Sequence, residues 1–253
     1  MIDKNEIKRL KSLHKKKGRE LHKLILIEGK RIIEQALDSK YSILKIWINH
    51  DFKDSNPKFI QHIQKKQISL NEISNKIMDK ITDTKSPSGV IAIMNIPKGD
   101  IKKMNHQILA LDNISDPGNL GTIIRTANWF GIKNILLSED CVDPYNSKVL
   151  RSGMGSHFSM NIVTKNLEKQ ISKYKKENFK IIATDLNTKN TMSDLKINSN
   201  NWVILLGNEA HGISKSVLES SDYRIKIPQG GNIESLNVAV TCGILLYHIS
   251  RIK

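Results

Sequence analysis

Twice along this chain, short apolar runs alternate with amphipathic stretches, and one polar turn segment, Pro97-Lys98-Gly99-Asp100 continuing to Lys103, separates the two series. Such alternation demands a layered α/β fold, because each strand needs helices to cover its apolar faces. In the first series strands are expected over residues 24–27, 43–48, 67–70 and 90–96, with helices over 31–37, from Pro57 onward and over 73–81. A basic helical pattern over residues 6–26, carrying Ile7, Leu10, Leu13, Leu21 and Leu24, precedes it, with a break expected at Gly18. In the second series strands are expected over 108–114, 134–137, 181–185, 202–206 and 223–227, with helices over 120–130, 167–177, 214–219 and 236–252. The spacing predicts a domain over 1–97, a linker over 98–106 and a second domain over 107–253.

At 253 residues with 39% hydrophobic content the chain can bury a sizeable core and is not of disordered composition. Its formal charge of +15 points to a polyanionic partner. Residues 1–106 hold 23 Lys/Arg against 12 Asp/Glu, and the remainder holds 17 against 13, so the first part carries most of the field. The plainer alternative is that lysine merely fills solvated faces in a Lys-, Ile- and Asn-rich composition. Cys141 and Cys242 form no C-x-x-C pair, which indicates neither a disulfide framework nor a zinc site and suits a reducing cytoplasm. The first residues lack the apolar core of a secretory signal, and the longest apolar stretch, 236–249, is too short and polar to span a bilayer. A soluble, cytoplasmic protein is expected. Ile7, Leu10 and Leu13 beside basic residues leave an organelle-targeting segment open, although Asp3 and Glu6 argue against it. The eight histidines do not cluster at ligand spacing, so no metal is expected.

Three segments at strand ends carry the chemistry. Asp116-Pro117-Gly118-Asn119-Leu120-Gly121 opens a helix on which Asn119, Thr122, Arg125 and Asn128 share a polar stripe, while Ile124, Ala127 and Phe130 face inward. Read alone, this is equally a Pro-Gly turn with a surface arginine. Leu206-Gly207-Asn208-Glu209-Ala210-His211-Gly212 ends a strand at a glycine, where a missing side chain admits a ligand to the backbone or a positive φ. Read alone, it is more simply a turn, with Glu209 and His211 solvated. Ile227-Pro228, Gly230-Gly231 and Glu234-Ser235-Leu236-Asn237 lead into a long apolar helix, for which Ser235 is the expected N-cap. Asn237 would then occupy the first turn, where asparagine is a poor helix former. No G-x-G-x-x-G follows a strand and no G-x-x-x-x-G-K-[ST] occurs.

Taken together and in this order, the three segments resemble the motifs of the SpoU (TrmH-like) branch of the SPOUT RNA methyltransferases, over most of residues 107–253. Ala210 stands where the family usually has a second glycine. A looser resemblance, from Leu13-His14-Lys15-Lys16-Lys17-Gly18-Arg19 through Glu28-Gly29, is to the L30e-like substrate-binding domain that many rRNA-directed members carry over the first 97 residues. The resemblance implies an α/β SPOUT domain with a deep trefoil knot, a homodimer, S-adenosylmethionine as methyl donor and a ribose 2′-hydroxyl as acceptor. It places the cofactor against main chain at Gly207, Ile227 and Leu236, and the catalytic work on Arg125, Asn119, Glu209, Ser235 and Asn237. Structured RNA is the implied partner, with large-subunit rRNA favoured over tRNA because of the added first domain. Two alternatives stay open: a tRNA 2′-O-methyltransferase, and a non-catalytic RNA-binding or ribosome-assembly factor. The target nucleotide, and whether the modification is housekeeping or confers antibiotic resistance, are not legible in the residues.

Overall fold

A computed structural model describes residues 2–195 and 199–251; Ile252, which ends the last expected helix, lies outside the described residues. The chain divides into two compact units, Met1–Pro97 with Tyr145–Phe158, and Lys98–Pro144 with Ser159–Lys253.

The first unit runs α1 (Lys4–Ser12), α2 (Lys16–His22), β1 (Leu24–Glu28), α3 (Lys30–Leu37), β2 (Ile43–Ile48), α4 (His50–Ser55), α5 (Pro57–Lys65), β3 (Ser69–Glu72), α6 (Asn75–Ile81) and β4 (Val90–Asn95). Its sheet has the order β1-β4-β2-β3, with β4 antiparallel to both β1 and β2, and β2 parallel to β3. Alternate strand residues serve two different cores. Ile25, Ile27, Ile46, Ile48, Val90 and Ala92 pack with Ile33 of α3 and Ile63 of α5. Leu24, Leu26, Trp47, Ile91 and Ile93 pack with Leu10, Leu13 and the α6 residues Met78 and Ile81. Burial on both faces is why β1, β2 and β4 read as apolar runs.

Gly18 does not break the amino-terminal helix; it lies inside α2, and the break falls between α1 and α2. A Cβ at Gly18 would stand 2.0 Å from the Ser12 carbonyl oxygen, so the glycine permits a close α1–α2 approach instead of a turn. The buried Arg19 fixes the same corner, its Nη1 donating to the Leu13 carbonyl at 2.8 Å and the His14 carbonyl at 2.9 Å. The corner thus satisfies carbonyls that the end of α1 leaves without helical partners. Helix α4 is an addition to the expected elements, started by Asn49, whose Oδ1 accepts from the Phe52 N–H at 2.9 Å.

The second unit opens with β5 (Gln107–Leu111), α7 (Pro117–Trp129) and β6 (Asn134–Leu137). The chain then returns to the first unit, where α8 (Ser147–Gly153) lies, and Leu150 and Phe158 join the core beneath α3 and α5. Afterwards come β7 (Asn161–Thr164), α9 (Leu167–Lys176), β8 (Lys180–Thr184), β9 (Trp202–Leu206), α10 (Lys215–Glu219), β10 (Tyr223–Ile225) and α11 (Val238–Arg251). Helix α8 and β7 are further additions to the expected set. The six strands are all parallel, in the order β10-β8-β9-β5-β6-β7. Among the described residues no helix is long and apolar enough to cross a membrane.

Replacing Gly18 by alanine forces α2 away from Ser12 and the first unit loses about 1–3 kcal/mol of stability, read as a lower urea midpoint by circular dichroism. An unchanged midpoint would show that the corner yields freely.

Candidate active site

Neighbouring strands β5 and β9 send the chain in opposite directions, β5 toward β6 and β9 toward the far edge at β10. The connections that leave their carboxyl ends therefore diverge, and such a reversal is where open parallel sheets bind ligands. The first two motifs follow β5 and β9, and the third follows β10.

Strand β5 ends at Leu111, short of the expected Ile114, because the next residues bond sideways. Asp112 is buried; its Oδ2 accepts from the Ser214 N–H at 2.8 Å at the start of α10. Asn113 is left-handed (φ 55°), with its N–H donating to Ser138 Oγ at 2.8 Å, and the Ile114 N–H donates to Cys141 Sγ at 3.3 Å. Asp116 then caps α7 by accepting from the Asn119 N–H at 2.7 Å, with Pro117 in the first turn, where its missing N–H costs nothing.

Gly207 does not serve a positive φ; it lets its own loop close. A Cβ there would stand 2.2 Å from the Gly212 carbonyl carbon, because the loop doubles back on itself and Asn208 and Gly212 exchange backbone hydrogen bonds of 3.0 and 2.9 Å. The left-handed residue is Gly212 (φ 68°). Asn208 holds this loop to the first one: its Nδ2 donates to the Asn113 carbonyl at 2.9 Å while its Oδ1 accepts from the Ala210 N–H at 2.8 Å. Sequence reasoning passed over Asn208 and Asp112, since nothing local marks a side chain that bonds a backbone about a hundred residues away.

The N-cap of α11 is Asn237, not Ser235. Its Oδ1 accepts from the Ala239 and Val240 N–H groups at 2.9 and 3.3 Å, which accounts for an asparagine here without any misfit in the helix. With that oxygen committed, the amide orientation is fixed and Nδ2 points to Asn119 Oδ1 at 3.0 Å. Asn119 in turn donates from Nδ2 to Glu209 Oε1. One side-chain relay, Asn237 to Asn119 to Glu209, therefore joins all three motifs.

Beside it lies a cavity of about 640 Å³, with Gly207, Glu209, Ile227, Ser235 and Leu236 in its wall. Asp185, Glu209 and Glu234 line it together with Lys226, Arg224 stands 3.9 Å from Asp185, and Leu186 and Ile233 supply apolar surface. This balance suits a ligand that is part apolar and carries positive charge. Asn119, Asn237 and Arg125 are not in the wall. Arg125 is exposed on α7, about 9 Å along the helix from Asn119, and has no polar partner among the described residues. Burial pushes the Cys242 thiol up to about 12, and the Cys141 thiol is raised for the same reason, so neither offers a thiolate near neutral pH. Among the described residues no group of three or more His, Cys, Asp or Glu side chains could hold a metal ion.

The profile of the SpoU rRNA Methylase family matches residues 106–247. The chain belongs to the SpoU rRNA Methylase family. A profile for the MRM3-like substrate binding domain matches residues 4–92, ahead of the SpoU region. Over 244 residues the chain is 32% identical to the 23S rRNA (guanosine(2553)-2'-O)-methyltransferase RlmP of Bacillus subtilis, spanning 96% of this chain and 95% of that one. The AdoMet-bound rRNA methyltransferase of Sinorhizobium meliloti superposes with a TM-score of 0.88 at 27% identity, over 99% of this chain and 97% of its own. The TrmH/SpoU tRNA modifying enzyme of A. aeolicus, 26% identical, covers 60% of this chain and 77% of its own with a TM-score of 0.51. The fold of this SpoU chain is accordingly the α/β SPOUT architecture.

Changing Asn208 to aspartate keeps the Oδ1 contacts but turns a carboxylate oxygen toward the Asn113 carbonyl. Calorimetric titration with S-adenosylmethionine is expected to show about tenfold weaker binding. Unaltered affinity would mean that the two loops hold their positions without this strut.

Proposed function

We propose that this SpoU protein transfers a methyl group from S-adenosylmethionine to a ribose 2′-hydroxyl of large-subunit rRNA. The observation that carries the reading is one relay that joins all three motifs beside a cavity lined by the second and third. The cavity fits the cofactor: carboxylates outnumber cations in its wall, apolar side chains flank it, and Gly207, Ile227 and Leu236, the positions expected to meet the cofactor, all lie in the wall. When bound, the sulfonium supplies an already activated methyl group, so the protein's task is alignment and charge.

In this reading Glu209 and Ser235, both in the wall, hold the cofactor side of the reaction centre, and Ser235 with Asn119 orients the attacking hydroxyl. Asn237 acts through Asn119, to which its Nδ2 donates. Arg125 clamps the phosphate beside the target ribose and stabilises oxyanion charge as the hydroxyl attacks. It is not the proton acceptor, since guanidinium stays protonated at any working pH.

Helices α7 and α11 pack on each other and leave Trp129, Val240 and Tyr247 exposed, Trp129 at 84%. Large apolar side chains left in water support a homodimer in which a second copy covers them and approaches Arg125. The resemblance further implies a deep trefoil knot formed by the carboxyl-terminal segment. Both cysteines are free, which accords with the cytoplasm as compartment. The rRNA assignment draws on the extent of likeness: the Bacillus rRNA relative is matched over 96% of this chain and the tRNA-modifying relative over 60%.

Incubation with labelled S-adenosylmethionine and separate rRNA and tRNA pools from a strain lacking the gene is expected to label a 2′-O-methylated nucleotide of the large-subunit RNA. Label confined to tRNA, or absent from both pools, would refute the assignment. The Arg125→Lys variant should lose about a hundredfold in kcat with little change in cofactor affinity; full turnover would rule out the bidentate clamp.

A further inference from the structure

The positive field of the first unit is not spread evenly. Between Asp3 and Lys23 there are nine Lys/Arg and three Asp/Glu. The three acids are occupied: Asp3 caps α1, Glu6 pairs with Arg9 at 2.8 Å, and Glu20 faces Lys16 at 4.0 Å. Lys4, Lys8, Lys11, Lys15, Lys17 and Lys23 are exposed and have no polar partner among the described residues. On α1 the spacing of Lys4, Lys8 and Lys11 puts them on one stripe about 10 Å long, away from the buried Leu10. Lys15, the N-cap of α2, and Lys17 in its first turn add two more exposed cations just past the corner.

Two features separate this track from lysines that merely solvate a surface. Like charges at these helical spacings repel and weaken the helix that carries them, an arrangement relieved when a polyanion lies along it. The track is also rigid. Leu10 and Leu13 anchor α1 in the core, Gly18 allows α2 to close onto Ser12, and Arg19 ties the corner through the Leu13 and His14 carbonyls. Cations on a preformed corner lose little conformational freedom when they meet a ligand. By contrast, the acids around α4 stand among their own partners, with Glu72 bonded to Lys53 at 2.7 Å and to His50 at 3.3 Å.

We propose that the outer face of α1 and the α1–α2 corner form the surface on which the phosphate backbone of the substrate RNA docks. This rests on the RNA methyltransferase reading and names the place where the first unit grips its substrate. Lysines supply point charges without base readout, so the grip is on shape and backbone, and selection of the nucleotide belongs elsewhere.

The test compares two triple variants of equal charge, Lys8→Gln/Lys11→Gln/Lys15→Gln on the track and Lys40→Gln/Lys58→Gln/Lys65→Gln off it, for binding to large-subunit rRNA across a salt series. The track variant is expected to bind at least tenfold more weakly, with the log–log salt slope reduced by about 2–3, while the off-track variant stays within twofold. S-adenosylmethionine affinity should be unchanged in both, and the track variant's thermal unfolding midpoint should not fall, because it loses only repulsion within α1. A Lys8→Arg/Lys11→Arg/Lys15→Arg variant should bind like the wild type. Equal losses in both Gln variants, no loss on the track, or tighter binding to phosphatidylglycerol vesicles than to RNA would each overturn the proposal. A wild-type protein that methylates no RNA would instead bring down the reading on which it rests, a result the binding series by itself cannot produce.

Discussion

Everything at the candidate active site depends on a reversal of strand order in a parallel sheet. Because β5 and β9 are neighbours whose continuations leave in opposite directions, their loops must part, and a gap opens above the sheet without any side chain being removed to make it. The gap is then bridged by hydrogen bonds. Asn208 reaches from the β9 loop to the Asn113 carbonyl, Asp112 reaches to the start of α10, and Asn237 reaches Glu209 through Asn119. Each bridge uses a short side chain with a fixed number of donors and acceptors, so satisfying one end dictates where the other end points. The α11 cap illustrates this: an asparagine that starts a helix with its oxygen has only its amide nitrogen left to offer the site.

The glycines here answer to the same economy of space. Gly207 exists so that its own loop can fold back, and Gly18 so that two helices can touch. At Gly18, inside a helix, the usual rule that links glycine with turns misleads. In this chain the constraint is contact between backbones, and the cavity is a by-product of loops that are held tightly elsewhere.

The strands were largely legible in the sequence because burial on both faces leaves continuous apolar runs, and β6 and β9 begin and end where those runs do. The elements that escaped notice have weaker local signals. Helix α4 hangs on a single asparagine cap, and α8 and β7 are short stretches whose partners lie far away in sequence. At the site, residue types and order sufficed to bring the three motifs forward, but not to divide their labour. Ser235 and Asn237 differ in role only because one faces the cavity and the other caps a helix, and no spacing rule separates those positions two residues apart. Arg125 stands on a helix face that periodicity reads well, yet its distance from the cavity wall depends on which way α7 leaves the sheet, which is a property of topology.

The passage of residues 145–158 back into the first unit has a consequence for how the protein is made. Leu150 and Phe158 complete the core beneath α3 and α5. They leave the ribosome about sixty residues after Pro97. During that interval the amino-terminal sheet must wait with one apolar face partly uncovered, while β5, α7 and β6 are already being synthesised. The two halves of this chain therefore cannot mature as a simple relay in which the earlier finishes before the later begins, and a nascent chain paused within that window would be a natural client for a chaperone.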